Sequence, residues 1–375
     1  MSIAIINRDF GEHAGAIGLG LNRFVTDQAM TSPVSVVTTS NTRDVLALCK
    51  KANVRLFLAK SFTSSDSRII MRIFELIYFS IFVLISLMRC RPERVYVTSN
   101  PPIVIPFLVF IFCYLTKSKY FYHVQDIHPE ASSIVLKVPK TLTYLLSFID
   151  TLTLKNAELV ITLSKDMRAT LLKREKALNI NLLENPAIVN KTNMITSKIN
   201  GAIFCGNAGR LQNIDILLDA IEIFLNKDNS DFIFCFVGRG IFSHRLRSLS
   251  DKYNRFKYYG YVSAEEALSI TTMYKWALLP IRGEVLQYAH PSKIPTYISA
   301  GCQIISITSG ITDLAREVSA NDLGFNVEPN VGDIVDAFDS LSDYNGDYSG
   351  FEDYKILDAD EFGMSLSRLS NLTSR

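Results

Sequence analysis

Short, β-branched, continuously apolar runs recur along the chain, and longer stretches between them repeat apolar residues every three or four positions. In the first half the runs Ile3–Ile6, Val34–Thr38, Arg94–Thr98, Tyr120–Val124 and Leu159–Thr162 read as strands, most of them followed by 15–30 residues of helical period. Near 184–201 the pattern breaks into ENPAIVNKTNMITSKING, a polar segment with Pro186 that reads as a linker. A second series then begins at Ala202–Cys205 and continues through Phe232–Val237, Phe256–Tyr259, Ala277–Leu279 and Gln303–Ile307. Repeated βα units imply parallel sheets covered by helices on both faces. The expected fold is α/β, with two Rossmann-like domains facing an interdomain cleft. The expected boundaries are an N-terminal domain over 1–185, a linker over 186–201, a C-terminal domain over 202–345, and a helical, acidic tail over 346–375 that packs back on the first domain. In such sheets ligands bind beyond the carboxyl ends of the strands.

Two apolar segments raise the question of a membrane. Ile69–Met88 is twenty residues long but carries Arg72 and Glu75 in its first half, and Ile103–Leu115 is only thirteen residues. A spanning helix needs about 20 predominantly apolar residues. Both segments therefore read as helices of an α/β domain. The first also suits a helix lying in the bilayer interface, with Arg68, Arg89, Arg91 and Arg94 near headgroups.

Charge sharpens the two-domain picture. The 375 residues carry 39 Lys and Arg against 37 Asp and Glu. Residues 1–185 hold 22 basic and 14 acidic groups, a balance of +8, while 186–375 hold 17 and 23, a balance of −6. The two halves are thus suited to different partners. The densest basic stretch, 43–94, has ten Lys or Arg against four Asp or Glu and surrounds the longer apolar segment, a pairing that suits an anionic membrane face. The small overall charge excludes a polycation built to coat nucleic acid. Six scattered cysteines without a C-x-x-C pair, and a start (MSIAIINRDF) that reads as a strand, lead to the expectation of a reduced cytoplasmic compartment.

Three segments carry candidate chemistry. In FCGNAGRLQNIDILLDAI a strand ends at Cys205, Gly206 and Gly209 permit a tight turn, and a helix follows; backbone N–H groups and Arg210 would face an anion there. A plain βα turn with a surface arginine is the alternative. In HPSKIPTYISAGCQIIS a short helix begins at Pro291–Ser292, with Ser292 or His290 as its cap. Lys293 falls in its first turn, where the helix dipole disfavours a cation unless a bound anion offsets the cost. An exposed lysine tolerated at a helix start is the alternative. In FYHVQDIHPE, His123, Asp126, His128 and Glu130 cluster at a strand's carboxyl end. Their spacing matches no metal-ligand pattern, and no metal is expected. His123 lies within the strand, where a core histidine is the alternative; Asp126 lies just beyond it. A G-x-S-x-G elbow is absent, Asp358–Asp360 sits in an acidic run, and the glycines Gly11, Gly15, Gly18 and Gly20 depart from the dinucleotide fingerprint.

Taken together, VYVTSNPPIVIPFL, YHVQDIHPE, ENPAIV, FCGNAGRLQNIDILLDAI, FVGRG, FKYYGYVSAEEAL, WALLPI and PSKIPTYISAGCQII occur in the order seen in a known group and cover most of residues 90–330. The chain resembles bacterial family-four glycosyltransferases of the GT-B fold, in particular the fucosamine- and colanic-acid-type transferases of O-antigen and capsule synthesis. The resemblance implies transfer of a sugar from a UDP- or GDP-linked donor to a lipid-linked saccharide acceptor. It further implies retention at the anomeric carbon, no metal and no cofactor, and a peripheral location on the cytoplasmic face of the cell membrane. The donor set it implies is Gly206, Asn207, Arg210, Gly238, Tyr261, Val262, Ser292, Lys293 and Thr296. Gly15 and Glu130 would meet the acceptor, with Asp126 or His123 orienting its hydroxyl as the catalytic groups. Two departures stand out. Positions where many members carry a diphosphate-gripping Arg and Lys hold Asn207 and Gln212, and positions of a glutamate pair hold Tyr288 and Thr296. A non-catalytic binding subunit and a nucleotide-sugar epimerase are the competing readings.

Overall fold

The computed structural model describes residues 1–11, 14–48, 50–51, 53–63, 67–135, 138–189, 198–227, 230–343 and 356–372. The chain divides into two compact units. One comprises Met1–Pro186, Tyr288–His290 and Leu357–Arg375; the other comprises Ala187–Gln287 and Pro291–Ile356.

The first unit runs β1 (Ile3–Ile6), α1 (Gly15–Ala29), β2 (Val34–Thr38), α2 (Arg43–Leu48), β3 (Val54–Leu58), α3 (Ile69–Cys90), β4 (Arg94–Thr98), α4 (Val104–Thr116), β5 (Lys119–Val124), α5 (Glu130–Val135), α6 (Lys140–Asn156), β6 (Leu159–Thr162), α7 (Lys165–Arg174) and β7 (Ile180–Leu182). The second runs β8 (Ile199–Cys205), α8 (Ile214–Asn226), β9 (Ile233–Val237), α9 (Ser243–Lys252), β10 (Phe256–Gly260), α10 (Ala264–Thr272), β11 (Tyr274–Pro280), α11 (Gly283–Leu286), α12 (Ile294–Ser299), β12 (Gln303–Ile307), α13 (Asp313–Ala320), β13 (Gly324–Val327) and α14 (Val331–Ser342). A last helix, α15 (Ala359–Leu372), belongs to the first unit.

Each unit is a doubly wound, fully parallel sheet. The first sheet has the order β3-β2-β1-β4-β5-β6-β7 and the second β10-β9-β8-β11-β12-β13. The chain reverses its direction of winding between β1 and β4, and again between β8 and β11. These are the switch points at which open α/β sheets present a crevice at their carboxyl edge. Ile6 pairs beside Val97 and, after a register shift between Tyr274 and Trp276, Ala202 pairs beside Trp276. Both units are Rossmann-like, as the alternation of runs predicts.

Central strands are apolar on both faces because helices cover both. In the first unit one layer joins Phe79, Val109 and Leu154 of α3, α4 and α6 to Val97 and Tyr122. The opposite layer joins Leu21 and Phe24 of α1 to Ile5 and Tyr96, together with Phe362 and Leu366 of α15. Helices α1 and α15 cross at glycine: a Cβ on Gly20 would come within 2.5 Å of the Phe362 ring, and one on Gly363 within 2.6 Å of the Gly20 carbonyl oxygen. Arg94 is buried and donates to the Ser370 carbonyl at 2.7 Å, so it secures α15 and does not face headgroups as expected. The second unit is built around edge-to-face phenylalanines, with Phe234 and Phe338 centroids 4.8 Å apart.

Two sequence boundaries shift. Strand β8 starts at Ile199, inside the stretch read as linker, whose residues 190–197 lie outside the described residues. Residues 346–355 of the expected acidic tail also lie outside them; α15 follows and packs on α1.

Candidate functional site

In the second unit the switch point is lined by backbone held unusually close. Gly206 follows β8 at φ +132°, and its N–H donates to the Val237 carbonyl at 2.8 Å. Gly238 follows β9 at φ +122°, where a Cβ would lie 2.1 Å from the Gly206 carbonyl oxygen. Only glycine lets the two loops run side by side. Ala208 and Gly240 continue the pairing.

Lys293 reaches into this place. It is the N-cap of α12, with no side-chain cap bond, so neither Ser292 nor His290 caps that helix and the helix starts later than expected. Tyr297, one turn on, fixes α12 under the strand end: its hydroxyl accepts from the Cys205 N–H at 3.0 Å. The Lys293 side chain turns inward. Its Nζ lies 4.0 Å from the Phe204 ring centroid, and a Cβ on Gly206 would sit 2.5 Å from its Cε. Among the described residues the buried ammonium has no hydrogen-bond acceptor. Desolvation lowers its pKa from 10.5 to about 8, with the nearby Cys205 thiol opposing the shift. The exposed-lysine alternative is thereby excluded. A buried cation lacking acceptors is costly, and the cation–π contact offsets only about 2 kcal/mol of that cost.

The other expected donor residues lie on the same edge of the second sheet. Asn207 and Arg210 are exposed on the loop after β8, and Ser292 is exposed before α12. Thr296 on α12 and Val262 after β10 are half-buried. Tyr261 is exposed, with the Arg239 guanidinium 5.0 Å from its ring centroid. Gln212 keeps a buried side-chain carbonyl oxygen without a partner among the described residues.

Two cations at this edge escaped the sequence reading. Arg239 follows β9, and Arg282 follows β11, where its N–H donates to the Leu211 carbonyl of the β8–α8 loop at 3.2 Å. The signal was present, since each follows a buried strand's carboxyl end within two residues. Together with Arg210 and Lys293 they place four cations on one edge of a unit whose sequence is acidic overall, beside the carboxylates Glu284 and Glu328.

The first unit's switch point holds polar groups from β1 and β4. The Thr98 hydroxyl donates to Asn7, and Asn100 Nδ2 donates to Asp9 at 2.9 Å. Gly15 opens α1 at φ +62°, with open space where a side chain would be. Asp126 follows β5. Ser99 Oγ accepts from the N–H groups of Gln125 and Asp126 at 3.0 and 3.2 Å, and Asp126 bridges Ala289 in antiparallel fashion. The Asp126 side chain is exposed. The surrounding protein desolvates its carboxyl and raises the pKa toward about 6, a rise moderated by the water that still reaches it.

His123 departs from its expected role, and Glu130 is already engaged within the protein. His123 is 0% exposed in the core, with Nδ1 2.6 Å from the Tyr96 hydroxyl and its ring against Phe362. Burial lowers its pKa to about 3. It is a neutral core histidine, which leaves Asp126 as the catalytic candidate. Glu130 is held by Arg174. The same guanidinium binds buried Asp150 at 2.7 Å and the His128 carbonyl at 3.1 Å, and Tyr122 donates to Asp150 at 3.0 Å. That network fixes the loop after β5, with Glu130 engaged by Arg174 at its edge. Burial, with Arg174 adding to it, also drives His128 down to about 4.

Among the described residues, no three His, Cys, Asp or Glu side chains group to hold a metal ion.

No protein-family model matches the chain. A probable glycosyltransferase, WbjE of Pseudomonas aeruginosa, is 27% identical over 129 residues, 34% of this chain and 32% of that protein, so the match spans about a third of the relative's length. Among solved structures, Anabaena HepE in complex with UDP superposes with TM-score 0.64 at 13% identity, covering both chains completely. A putative UDP-N-acetylglucosamine 2-epimerase of Listeria monocytogenes superposes at 0.63 with 11% identity, over all of this chain and 97% of that one. At these identities the likeness establishes the architecture: two Rossmann-like domains of the GT-B type.

Proposed function

We propose that the protein is a glycosyltransferase. It moves a sugar from a nucleoside-diphosphate donor to a lipid-linked saccharide acceptor in surface-polysaccharide (O-antigen or capsule) synthesis, at the cytoplasmic face of the membrane. The observation that carries this reading is Lys293, a buried ammonium without an acceptor, folded against the glycine loop after β8. A diphosphate at that loop would supply the missing acceptors. Arg210, Arg239 and Arg282 ring the same edge and suit the charge of a leaving nucleoside diphosphate. In the transfer, the bond from the anomeric carbon to the diphosphate oxygen breaks, and the electron pair and charge pass to the diphosphate. Fixed cations facing that oxygen lower the barrier. The acceptor hydroxyl forms the new bond and loses its proton. Asp126, at the carboxyl edge of the first unit, orients that hydroxyl. The leaving diphosphate takes the proton on the same face of the sugar, so configuration is retained and no metal is required. Exclusion of water from the reacting carbon would limit hydrolysis.

The test is turnover. Purified protein, a panel of UDP- and GDP-sugars, and lipid-linked saccharide acceptors are combined, and nucleotide release is measured. Release that requires an acceptor is the expected result. Interconversion of donor sugars without an acceptor would identify an epimerase instead, and no binding of either nucleotide would overturn the reading.

A further inference from the structure

The first unit has an apolar face that the fold leaves bare. Helices α3, α4 and α6 lie on one side of the first sheet, with α4 packed between the other two. Of the twenty-six large apolar side chains exposed among the described residues, fifteen lie on these three helices. On α3 they form a stripe at helical spacing that includes Ile70, Phe74, Ile77, Ile81 and Met88, while Phe79, Val83 and Leu87 on the other side are buried against the sheet. A helix packed in this way along one face is amphipathic in an inverted sense: its outer side is apolar where a soluble protein's would be polar. Leu115 on α4 and Tyr144 and Phe148 on α6 extend the surface.

The charges around it are arranged as a frame. All three helices run antiparallel to the strands, as crossover helices in a parallel sheet must, so their starts share one edge and their ends the other. Arg68 and Lys140 stand exposed at the starts of α3 and α6, and Arg89, Arg91 and Lys117 at the ends of α3 and α4. Between the latter ends an open depression of about 870 Å³ is lined by Arg91, Lys117 and Lys119, with Glu93 as its acidic member. The one acidic residue of α3, Glu75, is turned to the buried side, where it binds Arg8 at 3.1 Å.

We infer that the α3–α4–α6 face is a docking surface for an anionic lipid bilayer. The helices lie in the interface plane, the apolar stripe enters the acyl boundary, and the framing cations meet lipid phosphates. The depression at the amino edge accepts one anionic headgroup. A second copy of this chain would leave the cationic frame unmatched, since the same residues there carry the same sign. A spanning α3 would require Phe79, Val83 and Leu87 to leave the core. The inference deepens the lipid-linked acceptor reading: through Glu75 and Arg8, the helix that enters the interface is tied to the carboxyl end of β1. Its test uses no turnover, so it stands or falls separately from that reading.

The full chain is mixed with vesicles of phosphatidylcholine alone, or with phosphatidylglycerol added, and separated by flotation. The protein is expected to float with the anionic vesicles, to do so less at high salt, and to be released by alkaline carbonate. Ile77→Glu with Ile81→Glu is expected to abolish flotation. Arg89→Glu with Arg91→Glu should weaken it about tenfold or more. Tyr144→Ser with Phe148→Ser, on a different helix, guards against misfolding of the α3 pair and should also reduce binding. Unchanged melting temperatures confirm that the variants are folded. No flotation by the parent protein overturns the inference. So does resistance to carbonate, which marks a span, or a lipid-free dimer that Ile77→Glu with Ile81→Glu dissociates.

Discussion

Lys293 Nζ stands 4.0 Å from the centroid of the Phe204 ring, held there by a helix that Tyr297 pins to the end of β8. Its ammonium has no hydrogen-bond acceptor among the described residues. Replacing it by methionine removes a buried charge while keeping the shape. Lys293→Met is therefore expected to raise the melting temperature at neutral pH and to impair donor use. A hydrogen bond to a charged group is worth about 1.5–3 kcal/mol, or roughly 10–150-fold in kcat/KM. Thermal unfolding and donor kinetics on the same preparation separate these two effects.

The same ammonium makes both stability and nucleotide binding depend on pH. Its folded-state pKa of about 8 lies below the ordinary 10.5. Between those values the unfolded chain binds more protons, so stability rises as pH is raised from about 8 to 10.5, by about 3 kcal/mol in full for this group. Below about pH 8 the charged form persists in the fold and the full cost is present. A bound diphosphate reverses the preference, so nucleotide affinity should fall as pH rises through about 8. Calorimetry near pH 8.5, in buffers of different ionisation heat, should show proton uptake on binding; Lys293→Met should abolish it.

Asp126→Asn keeps the backbone bonds to Ser99 and changes only the charge. An expected loss of about a hundredfold in kcat, with nucleotide affinity unchanged, would place Asp126 on the acceptor side of the reaction. His123→Phe should leave the pH–rate profile as it was, because the imidazole is neutral above about pH 3.

Arg174 neutralises two carboxylates, one of them, Asp150, almost fully buried. Arg174→Ala leaves both unpaired and should cost about 3–5 kcal/mol, read as a shift in urea midpoint. Arg174→Ala combined with Asp150→Asn should recover part of that loss.

Phe362→Ala empties a fully buried site between α15, α1 and His123. The expected destabilisation is about 3–5 kcal/mol. Gly363→Ala should also destabilise, through a methyl group driven into the Gly20 backbone.

The central strands were legible because burial on both faces makes them continuous apolar runs. The missed strands are β3, β7 and β13, each at the edge of its sheet. β3 carries exposed Arg55, β7 has only three residues, and β13 is half-buried over most of its length. Edge strands lack the signal that two covered faces create. At the site, the loop after β8 and Lys293 were visible because glycine and charge cluster locally in the sequence. The burial of His123 was not, since it depends on Tyr96 and on Phe362, the latter more than two hundred positions away. Glu130 looked free because Arg174 lies 44 residues further on. Arg239 and Arg282 come together only through the order of strands in the second sheet.

The crossing of α1 with α15 bears on how the chain matures during translation. Without residues 359–372, the layer that joins Leu21 and Phe24 to Tyr96 and His123 lacks the Phe362 and Leu366 side chains that complete it. The first sheet is thus completed by a helix that the chain reaches only after the whole of the second sheet.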